Sequence, residues 1–112
     1  MIHVKIMTNE AERSLELYAD GHAECAPVGG DIICSAVSIL CFSLEAYLLC
    51  NTRERFSVLK DERGDGYTRI TATVKSSQDY ALITEAITPA RLAFFRLSHE
   101  YPRRISFEDI AR

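Results

Sequence analysis

The chain has 112 residues, of which 47% are hydrophobic and 26% charged, and a formal charge of -3. That length suits one domain with one core and is too short for two, and the composition is that of an ordinary globular protein rather than a disordered one. The negative balance, with no Lys or Arg pair extending into a patch, disfavours a nucleic-acid surface built on phosphate neutralisation.

The amino terminus has no cationic segment followed by an apolar run and a small-residue cleavage site, so cytoplasm is the expected location. Four cysteines, Cys25, Cys34, Cys41 and Cys50, could pair in principle. Three of them fall on one predicted helix, where Cys34 and Cys41 are separated by about 10 Å of rise, beyond disulfide reach. Thiols are therefore expected.

In chain order, Ile2, Val4 and Ile6 alternate with His3, Lys5 and Met7, the period of a half-buried strand. A polar turn at Asn9-Glu10-Ala11 leads to a second strand, with Leu15, Leu17 and Ala19 on one face and Ser14, Glu16, Tyr18 and Asp20 on the other. Gly21 breaks the alternation and lets the backbone turn and re-aim His22. From Asp31 to about Cys50 the chain is apolar nearly all round a helical wheel, with Glu45 its only charge. Its length approaches a transmembrane span, but Glu45 lies inside the run, no Lys or Arg closely precedes it, and amphipathic strands flank it. A central helix covered by sheet, second helix or partner subunit is the better reading.

Phe56 and Val58 lead through Glu62-Arg63-Gly64-Asp65-Gly66 to Thr68, Ile70, Ala72 and Val74, a second hairpin. Ser76 or Ser77 can cap the next helix, whose Ile83, Ile87, Ala90, Phe94, Leu97 and Tyr101 form one stripe. Thr88-Pro89 reads as an N-cap followed by proline at the first helical position, which predicts a kink or restart. Ile105 and Phe107 begin a final strand. The order strand, strand, helix, strand, strand, helix, strand predicts an α/β fold of the α+β type. It is a two-layer sandwich of two helices on a mixed sheet of about five strands.

The chemistry concentrates between the second strand and the first helix. A thiol attacks a carbonyl as thiolate, and an ordinary pKa of about 8.5 leaves little of that form at neutral pH. Cys34, three residues after the candidate cap Asp31, sits in the first helical turn, where unpaired N–H groups and the dipole favour an anion. His22, from the neighbouring strand end, can hold the thiol proton and later hand it to a leaving amine. The same N–H groups could stabilise an oxyanion. Asp31 either caps the helix or orients His22, since a carboxylate on the Cys34 amide would compete with the oxyanion and raise the thiol pKa. Cys41 and Cys50 read as small buried hydrophobes, and His3 and His99 as surface or packing residues.

Gly21-His22-Ala23, then Gly29, then Asp31-Ile32-Ile33-Cys34 followed by Ser38, resembles the signature of the ribosomal-processing cysteine protease (Prp) family, and the order of elements is similar over essentially the whole chain. The resemblance implies a homodimeric cysteine endopeptidase with a Cys-His dyad and no cofactor. It would remove a short N-terminal extension from a large-subunit ribosomal protein, cutting after a pair of aromatic residues before ribosome assembly. By position, Cys34 would be the nucleophile and His22 its base, with Asp31, Ser38, Gly21 and Gly29 in support. Ala23, Glu24, Cys25, Ala26, Pro27, Val28 and Gly30 would belong to the loop that admits the substrate peptide.

Two other readings stay open on the residues alone. His22, Cys25, Asp31 and Cys34 are plausible zinc ligands, although their spacing fits no common zinc pattern. A non-enzymatic dimeric module that binds ribosomal protein or the assembling ribosome is the other.

Overall fold

The computed structural model describes residues 1–21, 32–50 and 55–112. Strands β1 (Ile2–Asn9) and β2 (Ser14–Asp20) are followed by helix α1 (Ile32–Cys50). Strands β3 (Phe56–Gly64) and β4 (Tyr67–Val74), helices α2 (Ser77–Ala86) and α3 (Thr88–Glu100), and strand β5 (Ile105–Ala111) complete the chain.

Among the described residues one five-stranded sheet runs β3-β4-β2-β1-β5. Its hairpins are antiparallel and β5 lies parallel to β1, so the sheet is mixed as the sequence predicts. Register places Leu17 opposite both Ile6 and Ile70, and all three side chains are fully buried. Period-two patterning thus converts directly into one apolar sheet face, on which the helices lie. Asn9 Oδ1 accepts the Glu12 N–H at 3.1 Å to shape the first turn, where Arg13 takes φ 51°. The second hairpin closes in two residues, Asp65 and Gly66, because β3 extends to Gly64, and Gly66 supplies φ 64°.

Ser76 caps α2 by accepting the Asp79 N–H at 3.1 Å, as its residue type leads one to expect. The stripe from Ile83 to Leu97 is divided at Ile87 into two helices, the predicted restart. Thr88, however, is not the cap. It is already helical, and its hydroxyl donates back to the Thr84 carbonyl at 2.8 Å, while Ile87 occupies the capping position without a side-chain bond. Hydrogen bonds from Ile87 N to Ile83 O and from Arg91 N to Ile87 O, each 3.0 Å, carry the backbone across the missing Pro89 N–H. Phe94 is fully buried and stacks on Phe107 of β5, 5.6 Å between centroids. Tyr101 ends α3 as an exposed C-cap rather than a core residue.

Helix α1 buries Ile33, Val37, Cys41, Leu44 and Leu48, a stripe with steps of four, four, three and four residues. It is long and apolar enough to cross a membrane by length and composition, yet this stripe sits at the centre of the core. Within one chain the sheet covers only that side, so Ile32, Ile39, Phe42 and Leu49 are exposed, fewer buried sides than an all-round apolar wheel suggests. Cys50 is also exposed, against expectation, because it lies in the last turn opposite the stripe.

Candidate active site

Strand β2 delivers the chain to the site at Gly21. This residue has φ 99°, and a Cβ built there would collide with the Met1 carbonyl oxygen, so only glycine fits. Its N–H donates to Gly66 O at 2.8 Å, joining the end of β2 to the β3–β4 turn. The strand therefore stops where the sequence pattern breaks, and His22 is the next residue. His22, Gly29, Asp31 and the predicted substrate loop from Ala23 to Gly30 lie outside the described residues.

Next to Gly21, Asp20 accepts the Tyr18 hydroxyl on Oδ2 at 3.0 Å. Oδ1 is buried and has no hydrogen-bond partner among the described residues. That bond to a carboxylate is the main reason the Tyr18 phenol is raised above its ordinary pKa. Tyr67 packs edge-on against Tyr18, 5.7 Å between ring centroids.

Cys34 is the third residue of α1, partly buried and packed against the core. The first turn of the helix contains no acidic residue, and a helix start of that kind is a favourable place for a thiolate. Ser38 follows one turn later and is exposed. Cys41, two turns from Cys34, carries its thiol into the core, and burial pushes its pKa up to about 11. Cys34, Cys41 and Cys50 are all thiols.

Farther along the side of α1 that bears Cys34 and Ser38 lies an ionic cluster that has no local sequence signature. Glu45 pairs with Arg63 of β3, and the Arg63 guanidinium lies over the Phe42 ring, 4.2 Å from its centroid. Burial raises the Glu45 carboxyl above its usual range, with Asp61 adding to the rise and Arg63 opposing it. The lone charge in an apolar run is visible in the sequence, but its partner 18 residues away is not. Among the described residues no group of three or more His, Cys, Asp or Glu side chains is placed to hold a metal ion. The proposed zinc set involves His22, Cys25 and Asp31, which lie outside those residues.

His3 and His99 are exposed, as expected. His3 Nδ1 lies 2.9 Å from Ser106 Oγ, and His99 packs on Phe95 with 4.2 Å between ring centroids.

The fold is shared with solved structures. A ribosomal processing protease Prp from Staphylococcus aureus, in complex with a covalently linked product peptide, is 24% identical with a TM-score of 0.66, covering 97% of this chain and 99% of that one. The Staphylococcus aureus protein with a substrate peptide gives 23% identity and a TM-score of 0.61, with the same coverage. SMU.848 from Streptococcus mutans is 21% identical with a TM-score of 0.61, covering 100% of this chain and 99% of that one. No curated protein matches. The family model for the cysteine protease Prp spans residues 1–106, which takes in both hairpins, Gly21 and the cysteine of the first helical turn. This chain therefore belongs to the Prp family of cysteine proteases.

Proposed function

We propose that the chain is a Cys34–His22 dyad endopeptidase that removes the N-terminal extension of a large-subunit ribosomal protein, cutting after aromatic residues. The observation that carries this reading is the position of Cys34, partly buried in the first turn of α1, in a chain matched by the family model from end to end of its catalytic segment. The Staphylococcus aureus relative, described as a ribosomal processing protease and solved with substrate and product peptides, supports the substrate class.

In this mechanism the Cys34 thiolate adds to the scissile carbonyl while His22 holds the thiol proton. N–H groups at the start of α1 face the developing oxyanion. Collapse of the tetrahedral adduct breaks the C–N bond, and His22 gives its proton to the departing amine. Water, deprotonated by the now neutral His22, then hydrolyses the thioester and releases the acid. Asp31 either caps the helix or orients His22, and Ser38, one turn from the sulfur, supports the site.

The protein acts as a cytoplasmic homodimer in this reading. Exposed Ile32 and Ile39 on α1 and Leu92 and Phe95 on α3 provide an apolar surface for a second copy. Incubation with a peptide copying the host ribosomal protein's amino terminus, read by mass spectrometry, tests the reaction. A single cut following aromatic residues is expected. An intact peptide that nevertheless binds would favour the non-enzymatic module, and stoichiometric zinc in the purified protein would favour the metal site.

A further inference from the structure

We propose that Phe42, with the Arg63 guanidinium against its ring, is a specificity-determining contact that receives an apolar side chain of the substrate peptide three or four residues from the scissile bond. The proposal rests on Cys34 being the nucleophile of the proposed function.

Helix α1 has two flanks, one on either side of its buried stripe, and Cys34 belongs to only one of them. Measured round the helix from Val37, in the middle of that stripe, Cys34 lies about 60° and Ser38 about 100° to one side, while Leu40 and Ala36 lie as far to the other. The second flank faces α3, where Leu40, Ala36 and Ile32 line an apolar hollow with Ala93 and Leu97. The first flank faces β3, because Glu45, on the same side as Cys34, pairs with Arg63 of that strand. A peptide that reaches the sulfur from solvent therefore passes over the β3 flank, and the hollow beside α3 is left for the second copy.

Along the β3 flank, Cys34, Ser38 and Phe42 follow one another at steps of four residues. Ser38 is exposed and small, so the path between the other two is low. Phe42 is 41% exposed, and the Arg63 guanidinium lies 4.2 Å from its ring centroid. The Arg63 side chain is itself 43% exposed, so ring and cation form one accessible surface. An aromatic ring held by neighbours before its partner arrives is the kind of anchor that recognition surfaces use. Cys34 and Phe42 are about 12 Å apart along the helix axis. An extended peptide advances about 3.3 Å per residue, which puts its third or fourth residue over the ring. Such a remote contact is made equally in the ground and transition states, so it acts on KM rather than kcat.

The test uses the peptide copying the host ribosomal protein's amino terminus, whole and shortened from each end in turn to two residues beyond the scissile bond. Shortening from one end should raise KM about tenfold with kcat within about twofold. Phe42→Ala should raise KM for the whole peptide by the same factor and add less than about twofold for the peptide shortened at that end. Phe42→Leu keeps an apolar contact and should recover most of the affinity. Leu82→Ala, which removes an exposed apolar residue of α2, should match the parent on every peptide. An unchanged KM in Phe42→Ala, or an equal rise on whole and shortened peptides, would overturn the proposal. Fluorescence anisotropy with the labelled peptides and Cys34→Ala, with and without Phe42→Ala, measures the contact apart from turnover. Failure of the dyad reading shows as turnover retained in Cys34→Ala, whereas whole-peptide affinity indifferent to Phe42→Ala removes the contact and leaves the dyad standing.

Discussion

The first turn and the middle of α1 hold the same chemical group under opposite conditions. Cys34 is partly buried in the first helical turn, whereas Cys41, two turns on, is 2% exposed and its pKa is pushed up to about 11. At neutral pH a thiol of that pKa holds about one part in ten thousand as thiolate. Position rather than residue type distinguishes the two. Depth in the core makes Cys41 a packing residue, and the helix start is what the proposed mechanism draws on to make Cys34 the nucleophile.

The largest effect that separates the two positions is on turnover. Cys34→Ala and His22→Ala are expected to lower peptide cleavage by about a thousandfold or more, and Cys34→Ser to be as inactive, because serine lacks a depressed pKa to exploit. Cys41→Ala should keep its kcat while losing about 1 kcal/mol of stability from the removed sulfur contacts. Alkylation by iodoacetamide at pH 7, followed by peptide mapping, should label Cys34 well before Cys41. Equal labelling, or a Cys41→Ala variant as inactive as Cys34→Ala, would break the contrast.

Much of this was legible in the residues, for physical reasons that differ from element to element. Ile2, Val4 and Ile6, then Leu15, Leu17 and Ala19, announce strands because the side-chain period of a strand is two and one face is buried. Ser76 and Cys34 are legible because helix starts impose local chemistry on the residues that occupy them. Pairing across the chain leaves no such local mark. Nothing near Arg63 points to Glu45, and Cys50 reads as core until the sheet is seen to cover only one side of α1. Thr88 misleads because a hydroxyl can bond a carbonyl behind it as readily as an N–H ahead.

The two ends of the β3 and β2 strands sharpen the comparison at intermediate size. Gly21 has φ 99° and no room for a methyl group, whereas a Cβ on Gly64 would meet nothing within 4 Å. Gly21→Ala should therefore cost about 2–3 kcal/mol, combining backbone strain with displacement of the Met1 carbonyl, and should depress turnover as well. Gly64→Ala should stay within about 0.5 kcal/mol of the parent. Urea titrations of both variants test this, and a similar midpoint for the two would remove the steric argument at the end of β2.

The smallest effect concerns the one charge in α1. Burial holds the Glu45 carboxyl above its ordinary pKa despite Arg63, so the folded chain binds that proton more tightly than the unfolded one. A raised carboxyl contributes its stability at pH values below the unfolded pKa, about 4.5, and loses it as pH rises through the folded value. The parent should accordingly fall slightly in Tm relative to Glu45→Gln as pH rises above about 4.5. A difference of the opposite sign would mean that attraction to Arg63 outweighs desolvation. The pair would then hold α1 by adding stability, whereas a fall in Tm would mean that it orients the helix at a net cost, as partly buried ion pairs commonly do.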